Sequence, residues 1–384
     1  MGSANSKTFQ AEGFVAPGFE SVKEMFENNF SRGAEESCQL CVYVGEEMVV
    51  DLWCSKRTDT NYSGDTLTNV FSSTKSLTAI AMAALVDKGL INYSDKIASH
   101  WEEFGQNDKG ELTIADLMRH EAGLATFEAP FDVSCTSREN IKKNALGEII
   151  AKQSCFYPDG EKREYHSLTR GWVANEVFRR AHPTGSTLGE FLQEGVAGPL
   201  SADVYVGVPP GKFDDYAPVI DFKFSSVLSG CLNPANTSVD TNLGDLLGLM
   251  NMLRKYSKSG RNQEAFLPID GKKDWAVGAL FNLPVVRQGE SSSANGNCSA
   301  RGLAKVAAAM ANGGTLGGIQ VLSPQAWQSL HDNPTLAPIF GMPIQFTQGG
   351  LGKFEKVKGI DVEGYYGWMG YGQSTLSNQY RPTN

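Results

Sequence analysis

Histidine is scarce, with five in 384 residues. His100, His120, His166, His182 and His331 never pair at i, i+2 to i+4, and no His-Glu-x-x-His occurs, so no metal site is expected. Long apolar runs are missing too; none nears the roughly 18 residues of a membrane-spanning helix. Positive charge is in deficit, 34 Lys and Arg against 43 Asp and Glu. The net charge of −9 argues against a nucleic-acid or anionic-lipid surface. Neither the phosphate loop G-x-x-x-x-G-K-[ST] nor the nucleophile elbow G-x-S-x-G is present. Seven cysteines, few and odd in number, predict free thiols in a reducing compartment. Cys38-Gln-Leu-Cys41 is a lone C-x-x-C on a predicted strand, where residues three apart face opposite ways. The start, Met1 to Lys7, carries no apolar segment of a signal peptide, so the expected location is the cytosol.

What is present describes a folded protein: 41% hydrophobic and 20% charged residues, at a length that predicts two domains. Apolar positions Phe19, Val22, Met25, Phe26 and Phe30 predict a helix over 19–30. Gln39 to Trp53, broken at Gly45-Glu46-Glu47, reads as a β-hairpin. Leu77, Ile80, Ala81, Ala84 and Leu85 follow the period of one buried helical stripe closed by Lys88-Gly89. Thr113 and Asp116 predict a capping box on a short helix ending near His120. Between 126 and 295, helical patterns at 171–180, 188–194 and 243–256 are separated by long Gly/Pro/Asn/Ser stretches. Another helix is predicted at 303–311, stopped by Gly313-Gly314, and Gly313 to Gly318 reads as a turn. Gly349 to Gln373 reads as strands, and Ser291-Ser292-Ser293 as a patch of low complexity.

Ser72 is the one serine followed three residues on by a lysine, Lys75. It stands at the predicted start of the helix around Leu77, where free N–H groups and the dipole favour developing negative charge. A spacing of three puts hydroxyl and ammonium side by side. A desolvated lysine there can take the serine proton or lower the pKa of another base. On the spacing alone, a capping serine followed by a solvated lysine is the ordinary reading.

The flanking residues change that reading. Phe71-Ser-Ser-Thr-Lys75 with its Ala-rich helix, then Leu112 to Leu124, Tyr165-His-Ser-Leu-Thr-Arg-Gly-Trp172 and Gly367-Trp-Met-Gly-Tyr-Gly372 follow in order. Glu176 to Arg180, Gly198-Pro-Leu200, Ser299 to Ala304 and Met310 to Gly314 extend the match. The chain resembles the serine β-lactamase-like superfamily, and within it the class C β-lactamases and family VIII carboxylesterases, over roughly residues 17 to 380. The resemblance implies an α/β fold: an antiparallel sheet flanked by helices, with an inserted mainly helical domain. The expected division is 15–125 plus 295–384 for the α/β part, 126–294 for the insert, and a flexible 1–14.

The resemblance also implies the chemistry. Ser72 would be the nucleophile of an acyl-enzyme, with Lys75 and Tyr165 sharing the proton work, Tyr165 as base if its pKa is lowered, and the first proton open to either. The backbone N–H groups of Ser72 and Tyr371 would form the oxyanion hole. His166, Trp368 and Gly370 would line the substrate site, and no cofactor is implied. His166 reads as structural rather than catalytic, and the helix carrying Asp116 and His120 reads as packing.

Two departures stand out. Trp368 occupies the place of a Lys or His that engages the carboxylate of β-lactams and peptides, which favours small neutral esters. Only 16 residues follow Trp368, fewer than in relatives that add another strand and helix, so the expectation is either a shortened product or an uncovered sheet edge. The competing expectations are a β-lactamase or D-amino-acid peptidase or acyltransferase on the same site, and a silent scaffold. Separately, Met1-Gly2 with Ser6 fits the N-myristoylation pattern at Gly2, which on a single acyl chain gives weak, reversible membrane attachment.

Overall fold

The computed structural model describes residues 9–31, 35–57, 61–128, 130–157, 160, 162–221, 265–273, 275–339, 342–357, 360–370 and 375–379. The predicted helix at 243–256, Gly2 and Tyr371 lie outside these residues. The chain enters as strand β1 (Glu12–Val15) and helix α1 (Glu20–Ser31). The hairpin β2 (Ser37–Val44) and β3 (Glu47–Ser55) turns at Gly45, whose φ of 60° suits glycine. β1 pairs antiparallel with β3, so Glu12 to Val15 belong to the fold rather than to the flexible lead expected through residue 14. Phe26 and Phe30 of α1 bury against Val50 and Leu52 of β3.

Strand β4 (Thr68–Asn69) then leads to helix α2 (Thr74–Asp87), which ends at Gly89 with φ 63°. The expectation of one buried stripe is corrected, because every residue from Thr74 to Leu85 is buried. A helix enclosed on all sides is the core of a large protein, and this one carries the main apolar cluster. The predicted capping box is formed, with Asp116 N–H donating to Thr113 Oγ1 at 3.1 Å and Thr113 N–H donating to Asp116 at 3.0 Å.

In the middle of the chain, helices Arg138–Lys142, Ala145–Ala151, Thr169–Ala181 and Leu188–Phe191 match the expected helical character. Strand β5 (Val204–Val206) does not. It pairs with β6 (Gly296–Cys298), which also pairs with β4, so this small sheet joins three distant parts of the chain.

Helix Ala300–Ala311 follows, then the small hairpin β7 (Thr315–Leu316) and β8 (Ile319–Gln320), turned at Gly317 and Gly318, and helix Pro324–His331. A five-stranded antiparallel sheet closes the described chain: β9 (Thr335–Ile339), β10 (Met342–Phe346), β11 (Gly352–Val357), β12 (Ile360–Met369) and β13 (Thr375–Gln379), in sequential order. Helix Ala300–Ala311 packs on both β2 and β13 and joins the two larger sheets. The fold is of the β-lactamase and transpeptidase type, mixing helices with antiparallel sheets.

Candidate active site

Ser72 lies in the short 3-10 turn Phe71–Ser73 that feeds α2, half-buried among neighbours that are wholly enclosed. Phe71 before it has φ 43°, a left-handed conformation that a bulky residue rarely adopts. Asn69 Oδ1 accepts the Phe71 N–H at 2.7 Å, and the Phe71 ring meets Phe281 edge-on at 5.0 Å. These contacts hold the strained turn that presents Ser72. A capping role for the serines is ruled out: the helix start has no side-chain cap, and Ser73 Oγ instead donates to Trp368 O at 3.1 Å.

Lys75 is not solvated either; it is 1% exposed. Its Nζ donates to Ser167 O at 2.7 Å and Ser293 O at 2.9 Å and lies 3.3 Å from Ser72 Oγ. Burial, with the charge of Arg170 adding to it, holds the Lys75 pKa well below the ordinary lysine range. A neutral amine has two hydrogens, which match the two carbonyls, and its lone pair then faces the Ser72 hydroxyl.

Tyr165 faces Lys75, with its ring 4.8 Å from Lys75 Nζ. It hydrogen-bonds Ser72 and accepts the Trp368 indole N–H at 2.9 Å. Burial pushes its phenol pKa up, against the bonds to Ser72 and Trp368 and the charge of Arg170. The shift is opposite to the lowering expected of a base. Burial thus favours the uncharged form of both groups, the amine of Lys75 and the phenol of Tyr165.

The structural reading of His166 fits its surroundings, while its place in a substrate lining and the readings of Trp368 and Ser291 to Ser293 change. His166 is fully buried, accepts the Leu124 N–H at Nε2 (3.1 Å) and donates from Nδ1 to Glu164 O (2.6 Å). Burial, the main cause, takes its pKa down to about 4. Both nitrogens are engaged with backbone, so the ring is structural and does not line a substrate site. Trp368 is 7% exposed and packs on Tyr165, Phe346 and Phe354, so its N–H serves the tyrosine rather than an open pocket wall. Ser291 to Ser293 are buried side chains rather than a low-complexity patch: Ser291 Oγ accepts the Trp172 indole N–H, Ser293 Oγ accepts Gly171 N–H, and Ser293 O holds Lys75.

Gly370, beside Trp368 at the end of β12, is half-buried; Tyr371 lies outside the described residues. His120, assigned only to packing, sits at φ 67° just past helix Ile114–Met118 (α3) with its ring 4.8 Å from Tyr165. No spacing signal reaches it, since the contact joins residues 45 apart through the fold. Among the described residues, no group of three His, Cys, Asp or Glu side chains is placed to hold a metal, and no helix is long and apolar enough to cross a membrane.

Known proteins are similar to this chain over most of its length. The esterase/β-lactamase LipL of Mycobacterium tuberculosis is 28% identical over 379 residues, covering 93% of this chain and 79% of that protein. A family VIII carboxylesterase structure superposes with a TM-score of 0.74 at 26% identity, over 96% of this chain and 90% of that one. A penicillin-binding protein homologue from Caulobacter crescentus gives 0.72, also at 26% identity and over 96% and 90% of the two chains. The family model described as Beta-lactamase matches residues 23–379, and the chain belongs to the beta-lactamase family.

Proposed function

We propose that this protein is a serine hydrolase that cleaves small neutral carboxylic esters through an acyl-enzyme on Ser72. One observation carries the reading: Trp368 N–H, Tyr165 Oη, Ser72 Oγ and Lys75 Nζ are linked in a single hydrogen-bonded chain. Lys75 takes the Ser72 proton as Oγ bonds to the ester carbonyl carbon. The oxyanion is met by the Ser72 backbone N–H and, by analogy of position, that of Tyr371. As the carbon–oxygen bond to the alcohol breaks, Tyr165 gives its proton to the leaving oxygen, and the Lys75 ammonium restores it. Water reverses the sequence: its proton passes to the Tyr165–Lys75 pair, it attacks the acyl carbon, and Ser72 Oγ departs with a proton from Lys75.

Position 368 holds an indole whose N–H donates to Tyr165 and no cation that could engage a substrate carboxylate, which supports neutral esters over anionic β-lactams and peptides. A fluorophosphonate should label wild type and leave Ser72→Ala unlabelled. A panel of p-nitrophenyl esters with nitrocefin should favour short-chain esters by orders of magnitude in kcat/KM. Equal efficiency on nitrocefin replaces the esterase reading with the lactamase one; labelling that persists in Ser72→Ala removes both.

The same proposal extends to organisation and location. It assigns an α/β part (12–125 with 295–384) and an insert (126–294) with the site between them, and places the protein in the cytosol. Acylation of Gly2 gives a weakly and reversibly membrane-bound fraction, on the order of 10⁴ M⁻¹ for a single chain. An intact-mass spectrum without the acyl addition after co-expression with an N-myristoyltransferase removes that claim.

A further inference from the structure

We propose that Arg170 is a positioning residue for the proton transfer: its buried guanidinium adds a fixed positive charge to the enclosure that keeps Lys75 an amine ready for the Ser72 proton. The inference rests on the serine-hydrolase reading and assigns a role in it to a residue that does not reach the substrate.

Arg170 is 0% exposed on helix Thr169–Ala181. Its Nη2 donates to Lys75 O at 2.8 Å, and Nη1 donates to Met118 O at 3.0 Å and Gly350 O at 3.2 Å. It thereby ties α2, helix Ile114–Met118 and the turn before β11 behind the site. Carbonyls accept from Nη1 and Nη2 but do not neutralise its charge, and Nε has no hydrogen-bond partner among the described residues. Among the described residues no carboxylate comes within ion-pairing distance of it, although other buried arginines have one, as Arg163 has Glu121 at 2.6 Å. An uncompensated buried charge is costly and calls for a reason.

The titratable groups around it supply that reason. From the turn after helix Ile114–Met118 comes His120, with one ring nitrogen facing the His166 N–H at 3.0 Å and the other facing Arg170 Nη1 at 3.3 Å. A second ring proton has no place there, and burial followed by the charge of Arg170 holds the His120 pKa well below its usual value. His166 is likewise neutral, accepting at Nε2. Tyr165 faces Lys75 from the same segment, and Arg163 farther off is neutralised by Glu121. The cluster thus holds one permanent cation, Arg170, and one titratable one, Lys75. Two like charges enclosed together cannot both persist, and guanidinium is the group that does not release its proton.

The test is the pH profile of kcat/KM on a p-nitrophenyl ester, with fluorophosphonate labelling of Ser72 across the same pH range. Removing the cation in Arg170→Gln should raise the pKa of Lys75, moving the acidic limb up by about one pH unit or more. Tyr165, whose acidity the same charge favours, should also shift, moving the alkaline limb up. A purely structural clamp would lower the amplitude and leave both limbs in place. Arg170→Lys keeps a charge while breaking the clamp, and should retain the wild-type acidic limb at reduced rate. Unmoved limbs in Arg170→Gln overturn the inference. If that variant does not fold, Arg170→Lys and the wild type decide. A wild-type acidic limb near the ordinary lysine value of about 10 overturns it, whereas a limb near neutrality retained in Arg170→Lys supports it. Labelling at a residue other than Ser72 overturns the hydrolase reading itself and this inference with it; labelling at Ser72 with unmoved limbs overturns the inference alone.

Discussion

Lys75 and Tyr165 differ in how far each depends on its surroundings. Lys75 owes its proton affinity to enclosure and its direction to two carbonyls, so Lys75→Ala removes a base that nothing nearby replaces. Loss of a proton-transfer group costs about 10²- to 10⁴-fold, and Tyr165→Phe should fall in the same range. Because the two act with Ser72 as one unit, the double variant should lose little more than either single one. A near wild-type rate in Tyr165→Phe would show that another group protonates the leaving alcohol. Trp368 makes a finer case. Trp368→Phe keeps an aromatic ring against Phe346 and Phe354 but loses the 2.9 Å bond to Tyr165. Such a bond contributes roughly 0.5–1.5 kcal/mol, so kcat should drop several-fold to about ten-fold with KM unchanged. A raised KM with unchanged kcat would return Trp368 to the role of pocket wall. Trp368→Lys places an ammonium in a cluster of Tyr165, Ile339 and Phe346, and should unfold the protein more readily rather than turn it toward β-lactams.

At the scale of elements, helix Thr169–Ala181 and the 291–293 segment act as one part. Glycine inside a helix ordinarily costs about 1 kcal/mol relative to alanine, so Gly171→Ala should stabilise on propensity alone. Here a Cβ on Gly171 would stand 2.3 Å from Ser293 N and 2.6 Å from Ser292 C. Backbone is on the receiving side and cannot rotate away, so overpacking of about 1–3 kcal/mol outweighs propensity. Gly171→Ala should therefore lower Tm and, by displacing Ser293 O from Lys75, lower kcat. A raised Tm with normal kcat would show that the contact relaxes freely. The same segment marks what was legible in the sequence. Ser72 and Lys75 sit one turn apart, α2 carries its own apolar pattern, and the capping box at Thr113 depends on neighbours alone; all are local and readable. Lys75 meeting Ser293 spans 218 residues, and nothing in a run of three serines distinguishes a buried carbonyl from a solvated loop. Arg170 and His120 were hidden for the same reason. The pKa directions of Lys75 and Tyr165 depend on enclosure, which spacing does not report.

Across the whole molecule, enclosure of neutral rings sets a limit on the acid side. His120, His166 and His331 are all buried, and burial is the first cause of each lowered pKa: about 4 for His166 and His331, well below the usual value for His120. In the unfolded chain each imidazole titrates near ~6.5. Between that value and about 4 the unfolded state binds protons that the folded state excludes, so stability rises with pH through this window. It is fully present above the unfolded pKa and is lost as pH falls toward the folded one. At about 1.4 kcal/mol per unit, each of the two rings near 4 withdraws about 2 kcal/mol on going from pH 7 to 5. That is a large share of a typical 5–15 kcal/mol stability. Urea midpoints should accordingly fall steeply over this range. His331, whose Nδ1 donates to Trp327 O at 2.7 Å and which lies outside the catalytic cluster, allows the cause to be isolated. His331→Gln should flatten the dependence by about one ring's share while leaving the pH profile of kcat/KM where it was. A midpoint that is constant from pH 7 to 5 would mean that these rings accept protons in the folded protein, and that the enclosure around Tyr165 is looser than its geometry indicates.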